Sequence, residues 1–251
     1  MRVDEIAKIQ RLNEIFENKI FENNNKNYAS QMNEALNSVK DYSTLNYQLE
    51  NLYYSANKLQ TTSEFISDNT QAKKYEFGSS ANTTENQYID KFQSSQLKNQ
   101  ISQFIETYNT TIEKVEKSNV KDASEYFDKT IISKNLENLG ISKEEDGRLK
   151  FDETKFDKGI KPNQTEIKEI TNTLQDIEKL AQSTNQAIVN TKTEISEEFK
   201  NVKNQITELQ SIFTTEQNEY IKNSLNALFN ANSLQSMLAG LGIARNLNEI
   251  V

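Results

Sequence analysis

The chain has 251 residues, of which 35% are hydrophobic and 26% charged, with six glycines and one proline. So low an apolar share and so little punctuation argue against a thick globular core and for long helices meeting along narrow seams. The absence of His and Cys removes the usual ligands of zinc and other transition metals, all disulfides, and Cys–His or Ser–His–Asp catalysis, while a net charge of −8 disfavours nucleic acid and anionic membrane surfaces as partners.

The 37 Asp and Glu are spread among 29 Lys and Arg along expected helix faces, where their role is solvation. The N-terminus carries Asp4 and Glu5 and no apolar run, so it does not read as a secretory signal peptide. No stretch approaches the ~20 apolar residues of a membrane span, and no membrane insertion is expected.

Val3, Ile6, Ile9, Leu12, Ile15, Phe16 and Ile20 recur at steps suited to an amphipathic helix over 3–22. The run ENNNKN at 22–27 breaks it with turn-forming residues. A second helix is predicted over 28–68, with an apolar line of Met32, Leu36, Val39, Tyr42, Leu45, Leu49, Leu52, Ala56, Leu59 and Phe65 or Ile66. Residues 67–87 have no period, are rich in Ser, Thr and Asn, and read as a connecting loop, either a binding tip or an ordinary long connection. Asn-x-Thr sequons at Asn82 and Asn109 are expected by chance in so Asn-rich a chain.

A third helix is predicted over 88–117 through Ile89, Phe92, Leu97, Ile101, Phe104, Ile105, Tyr108, Ile112 and Val115, and a fourth over 120–139 through Phe127, Ile131, Leu136 and Leu139. Gly140 suits the left-handed residue that follows a helix C-terminus, and Ile141 is expected to be buried. Asp146–Gly147 predicts a tight turn. Leu149 and Phe151 alternate with Arg148 and Lys150 as in a strand, and Asp152 is placed to cap a short helix through Thr154–Phe156. A calcium reading of Asp146 fails, because neither the Asp-x-Asp-x-Asp-Gly run nor the distant Glu of an EF-hand is present. The expectation is a helix–turn–strand plug over 139–156 with a structural role.

Pro162 suits a helix start. From Ile167 the residues Ile170, Leu174, Ile177, Ala181, Thr184, Ile188, Thr191 and Ile195 follow at alternate steps of three and four, and Phe199, Val202, Ile206, Leu209 and Phe213 continue after one extra step of four. That is a heptad repeat with one stutter. A helix over 162–230 would be roughly 100 Å long at ~1.5 Å per residue, the spine of a rod. The tail over 231–251 is apolar and rich in small residues; Leu234, Met237, Leu238, Leu241 and Leu247 either fold back on the bundle or form a surface for self-association.

The predicted fold class is therefore all-α: an elongated antiparallel helical bundle or coiled coil with one long C-terminal helix and a small plug. Its parts in order are 1–66 N-terminal helices, 67–87 loop, 88–161 central helices with the glycine motif, 162–230 long helix and 231–251 tail. The sequence supplies neither a nucleophile–base pair nor a phosphate-binding glycine loop, so no enzymatic activity and no cofactor are expected.

The residues Leu139, Gly140, Ile141, Asp146, Gly147, Leu149 and Asp152 resemble a signature of the flagellar filament-cap protein, one of the hook-associated group. In that family a helix ends in Leu-Gly-Ile, a polar loop leads to Asp-Gly, and an alternating Leu and an Asp open the next helix. The preceding segment 97–115, with Phe104, Tyr108 and Asn109, is similar to the family's helix before this motif. The resemblance implies a self-assembling structural protein of the bacterial flagellum, extracellular, exported without a cleaved signal, whose N- and C-terminal segments pack together. Its partners would be other copies and flagellar axial proteins. The family's sizeable β-rich middle domains have no counterpart here, so a reduced form is implied. The alternative is a secreted helical adhesin, effector or fibre-type module with no flagellar role.

Overall fold

The computed structural model describes residues 26–72 and 88–210. The expected helix over 3–22, the expected loop over 67–87 beyond residue 72, the end of the long helix and the apolar tail lie outside the described residues, while 67–72, expected in that loop, are helical. What is described is an all-α fold with one two-stranded hairpin. In chain order it comprises α1 (Lys26–Ala72), α2 (Lys91–Lys117), α3 (Ala123–Asp128), α4 (Lys134–Asn138), β1 (Ile141–Lys143), β2 (Leu149–Phe151), α5 (Glu153–Gly159) and α6 (Ile167–Gln210).

Two compact units are present. Among the described residues the first holds 26–50, 118–121 and 192–210, and the second holds 51–72, 88–117 and 122–191. In the first unit α1 buries Met32, Ala35, Leu36, Val39, Tyr42, Leu45 and Leu49, and α6 buries Ile195, Val202, Ile206 and Leu209. Tyr42 faces Glu198 and Glu50 faces Lys192, so the two helices run antiparallel in this unit. Burial raises the Tyr42 phenol above its ordinary value, and the carboxylates of Glu198 and Asp41 add to the rise.

In the second unit α1 contributes Leu52, Ala56, Leu59 and Ile66, and α6 contributes Ile167, Ile170, Leu174, Ile177, Leu180, Ala181, Ala187 and Ile188. Asn185 Nδ2 donates to Asn57 Oδ1 at 2.8 Å, and Glu178 is raised above its ordinary value by burial and then by the carboxylates of Glu64 and Asp68, so the pair is antiparallel here too. The seam tolerates Thr184 and Thr191, both fully buried, because each hydroxyl donates to its own helix four residues back, to Leu180 O and Ala187 O at 2.8 Å. Phe65 is 52% exposed and Ile66 fully buried, which resolves the two candidates for that step of the α1 line. Phe199, expected on the α6 seam, is half-buried.

Helix α2 begins at Lys91, three residues later than its apolar line suggests, because Asp90 and Gln93 cap it reciprocally. Gln93 N–H donates to Asp90 Oδ1 at 2.7 Å, and Asp90 N–H donates to Gln93 Oε1 at 3.2 Å. The expected single helix over 120–139 is instead two short ones, α3 and α4. The β-branched run Thr130–Ile131–Ile132 holds a helix poorly, and Ser133 starts a new one by accepting from Leu136 N–H. Ile131, expected on the buried line, is 74% exposed as a result.

Pro162 does not open α6, which starts at Ile167. It sits in a turn in which Gln164 N–H donates to Lys161 O at 3.0 Å and Asn163 has a φ of 59°. Proline followed by a left-handed Asn is type II turn chemistry, and the left-handed residue ends any helical run. The turn is also used: Asn163 N–H donates to Ile89 O at 2.8 Å, Ile89 N–H donates to Thr165 O at 3.4 Å, and Tyr88 bridges Glu166. The segment before α2 and the segment before α6 are thereby tied together.

Candidate functional site

The residues that carry the sequence motif gather on the hairpin of the second unit. Helix α4 closes with Leu139 N–H donating to Asn135 O at 3.0 Å and Gly140 N–H donating to Glu137 O at 3.1 Å. Gly140 has a φ of +95°, and a Cβ there would lie 2.4 Å from the backbone oxygen of Asp152. Its own carbonyl accepts from Asp152 N–H at 2.8 Å. Positive φ and contact with another backbone both require glycine. Ile141 then enters the core, fully buried, and starts β1.

β1 pairs with β2 antiparallel, with Ile141 opposite Phe151 and Lys143 opposite Leu149. The loop closes through Glu144 N–H to Arg148 O at 2.8 Å and Gly147 N–H to Glu144 O at 3.0 Å, with Gly147 at a φ of +81°. This is a three-residue hairpin loop, a turn followed by a left-handed residue. Asp146 Oδ1 accepts from Arg148 N–H at 3.1 Å, and Arg148 bridges Asp146 Oδ2 and Glu116 Oε2. The hydrogen bond from the Arg148 backbone, then that from its guanidinium, hold the Asp146 carboxyl below its ordinary value. Asp152 caps α5 by accepting from Lys155 N–H at 3.0 Å.

The hairpin is fastened to α2 by one side chain. Asn109 Nδ2 donates to Leu149 O and Asn109 Oδ1 accepts from Leu149 N–H, both at 2.8 Å. The primary amide presents one donor and one acceptor as a neighbouring strand would, so the free edge of β2 is paired without a third strand. Beneath it lies an aromatic cluster: Tyr108 stacks edge-on against Phe127 at 5.8 Å and lies 5.9 Å from Phe104. Tyr108 O–H donates to Phe127 O at 3.3 Å, and burial pushes its pKa up to about 12. Lys143 Nζ donates to Phe127 O at 3.2 Å and to Asp128 O at 2.9 Å, a cation on the carbonyl end of α3.

Two further ties hold the flanks. Lys98 on α2 reaches Asp157 and Glu153 on α5 at 2.9 and 3.0 Å. Asp176 on α6 accepts from Ser133 Oγ at 2.7 Å and Asn135 Nδ2 at 2.8 Å while pairing with Lys179 at 3.0 Å. The Ser133 hydrogen bond is the largest cause of a carboxyl pKa below the ordinary value. The N-terminus of α4 is thereby pinned to the long helix.

Leu139, Gly140, Ile141, Asp146, Gly147, Leu149 and Asp152 thus lie on one continuous structure. Leu139, Ile141 and Leu149 are buried, the glycines and Asp146 shape turns, and Asp152 caps. Leu234, Met237, Leu238, Leu241 and Leu247 lie outside the described residues. Sequence reasoning missed strand β1, the two hydrogen bonds between Asn109 and Leu149, the Lys143 contact and the Asp176 network. Only Ser133 had a readable signal, as a helix cap after a β-branched run. Among the described residues no group of His, Cys, Asp or Glu is arranged to hold a metal ion, and no helix is long and apolar enough to cross a membrane. Comparison of the chain with protein-family models, curated proteins and solved structures finds no match.

Proposed function

We propose that this chain is a structural, self-assembling component of a bacterial flagellum, related in its hairpin motif to the filament-cap group of hook-associated proteins. The observation that carries the reading is the backbone contact between Gly140 and Asp152, where a Cβ would lie 2.4 Å from the Asp152 oxygen. It gives a physical reason for the spacing of the Leu-Gly-Ile, Asp-Gly, Leu and Asp residues that the resemblance rests on. A second support is that these residues act as turns, caps and core, the roles of a scaffold. On this reading the protein works outside the cell, is exported without a cleaved signal, and has other copies or axial proteins as partners.

The test has two arms. Immunogold imaging of isolated flagella, with a motility assay of a deletion strain, is expected to place the protein on the appendage and to show a motility defect. Light scattering of the purified full chain is expected to show self-association that is lost when 231–251 are deleted while helicity is kept. A monomer at high concentration, absent from flagella, would sink the reading in favour of a secreted helical adhesin or fibre-type module. Truncation that unfolds the chain would show that the tail is core.

A further inference from the structure

The helix seam of the first unit contains a cation where apolar packing would be expected. Lys192 on α6 has a side chain only 3% exposed. Its Nζ has no hydrogen-bond partner among the described residues. The carboxylate facing it, Glu50 Oε1 on α1, stands at 3.8 Å and is itself shared with Asn46 Nδ2, which donates to it at 3.4 Å. Asn46 is 6% exposed, so the layer is polar and largely enclosed. Leu45 and Leu49 on α1 and Ile195 on α6 continue the apolar seam on either side in sequence.

An ammonium removed from water loses its hydration. It recovers that loss only through close contacts that also satisfy its protons. Here three N–H groups share one carboxylate at more than hydrogen-bond distance, so the return is partial. Burial accordingly drives the Lys192 pKa down to about 8, against the opposing pull of Glu50. Thr191, beside it, shows the contrast: its hydroxyl is fully satisfied within its own helix.

We propose that the Asn46–Glu50–Lys192 layer is a built-in weak point that makes the α1–α6 seam of the first unit open before the second unit does. Opening returns the ammonium to water, so that the cost of burying it becomes a driving force for separating the two helices locally. In the second unit the corresponding polar contact, Asn57 with Asn185, is a neutral hydrogen bond of 2.8 Å; it leaves Asn185 Oδ1 buried without a partner but encloses no charge.

The test is native-state hydrogen exchange on the full chain, comparing amides at 36–49 and 195–209 with amides at 52–66 and 174–188. Exchange is expected to be faster in the first set. Lys192→Met, which fills the same space without charge and leaves Glu50, 30% exposed, in reach of water, is expected to slow exchange of the first set about tenfold or more. Glu50→Gln, which takes away the opposing carboxylate, is expected to accelerate it. The second set should be unmoved by either change. A stabilising ion pair would instead make both variants open faster, and that outcome overturns the proposal, as does an unchanged exchange rate in Lys192→Met.

Discussion

Gly140→Ala isolates the contact on which the hairpin depends. The change adds one carbon, but at a φ of +95° and 2.4 Å from the Asp152 oxygen. The conformational part costs about 1–3 kcal/mol for a non-glycine residue held in that region. Relieving the clash means moving backbone, because the atom met is a carbonyl oxygen and no flexible side chain can yield. That movement breaks the 2.8 Å bond from Asp152 N–H to Gly140 O, a further loss of about 0.5–1.5 kcal/mol. The sum, about 1.5–4.5 kcal/mol, corresponds to a fall in Tm of roughly 3–18 °C for a chain of this size. Gly159→Ala provides the control in the same protein: nothing lies within 4 Å of the added carbon, and the residue is helical, so Ala is expected to be neutral or to stabilise by up to about 1 kcal/mol. Urea unfolding followed by circular dichroism, read at the second unit by the burial of Tyr108, measures both. Equal stabilities for the two variants would refute the reasoning, since it rests entirely on their different surroundings.

Three other substitutions test the ties around the hairpin. Asn109→Leu removes both bonds to Leu149 and leaves a donor and an acceptor of β2 unpaired; a loss of about 1–3 kcal/mol and faster exchange of the Leu149 amide are expected. Lys143→Met takes the cation from the end of α3 while keeping the stem that packs there, and a loss of about 1–2 kcal/mol in thermal unfolding would follow. Asp176→Asn tests the tie between α4 and α6 by its pH dependence. The folded carboxyl titrates below its ordinary value, so its contribution is complete above that value and is lost as pH falls through the lower folded one. The gap in stability between wild type and Asp176→Asn should therefore be constant near neutrality and close in acid, as read by urea midpoints across that range.

The long helices were legible because their information is periodic. The α6 seam runs from Ile167 through Ile206 with buried residues at every expected step but the half-buried Phe199, and the α1 line from Met32 to Leu59 is buried throughout. Threonines on that seam gave no trouble, since their hydroxyls are satisfied within one helix. The short elements were legible only where one residue dictates a backbone state. Gly140 and Gly147 do so, and Asp152 caps where expected. Strand β1 was missed because three residues are too few to show alternation, and because its partner and the Asn109 amide complete it only in three dimensions. Pro162 misled because proline suits both a helix start and a turn, and the left-handed Asn163 decides between them. The Lys192 layer was invisible because a lysine beside a seam position normally reads as a solvated flank.

These features bear on how far a motif can carry a function. The seven residues behind the family resemblance each solve a backbone problem: ending a helix, entering the core, turning a hairpin, or capping the next helix. Asp146, the one among them that invites a chemical role, spends its carboxylate on Arg148. A loss of assembly in a Gly140 variant would therefore follow from a loss of folded hairpin, and would say little about the contacts that assembly uses. The Asn109, Lys143 and Asp176 variants set the scale of such purely structural losses. A surface substitution that abolishes self-association while leaving stability inside that scale is what would separate an assembly contact from the scaffold that presents it.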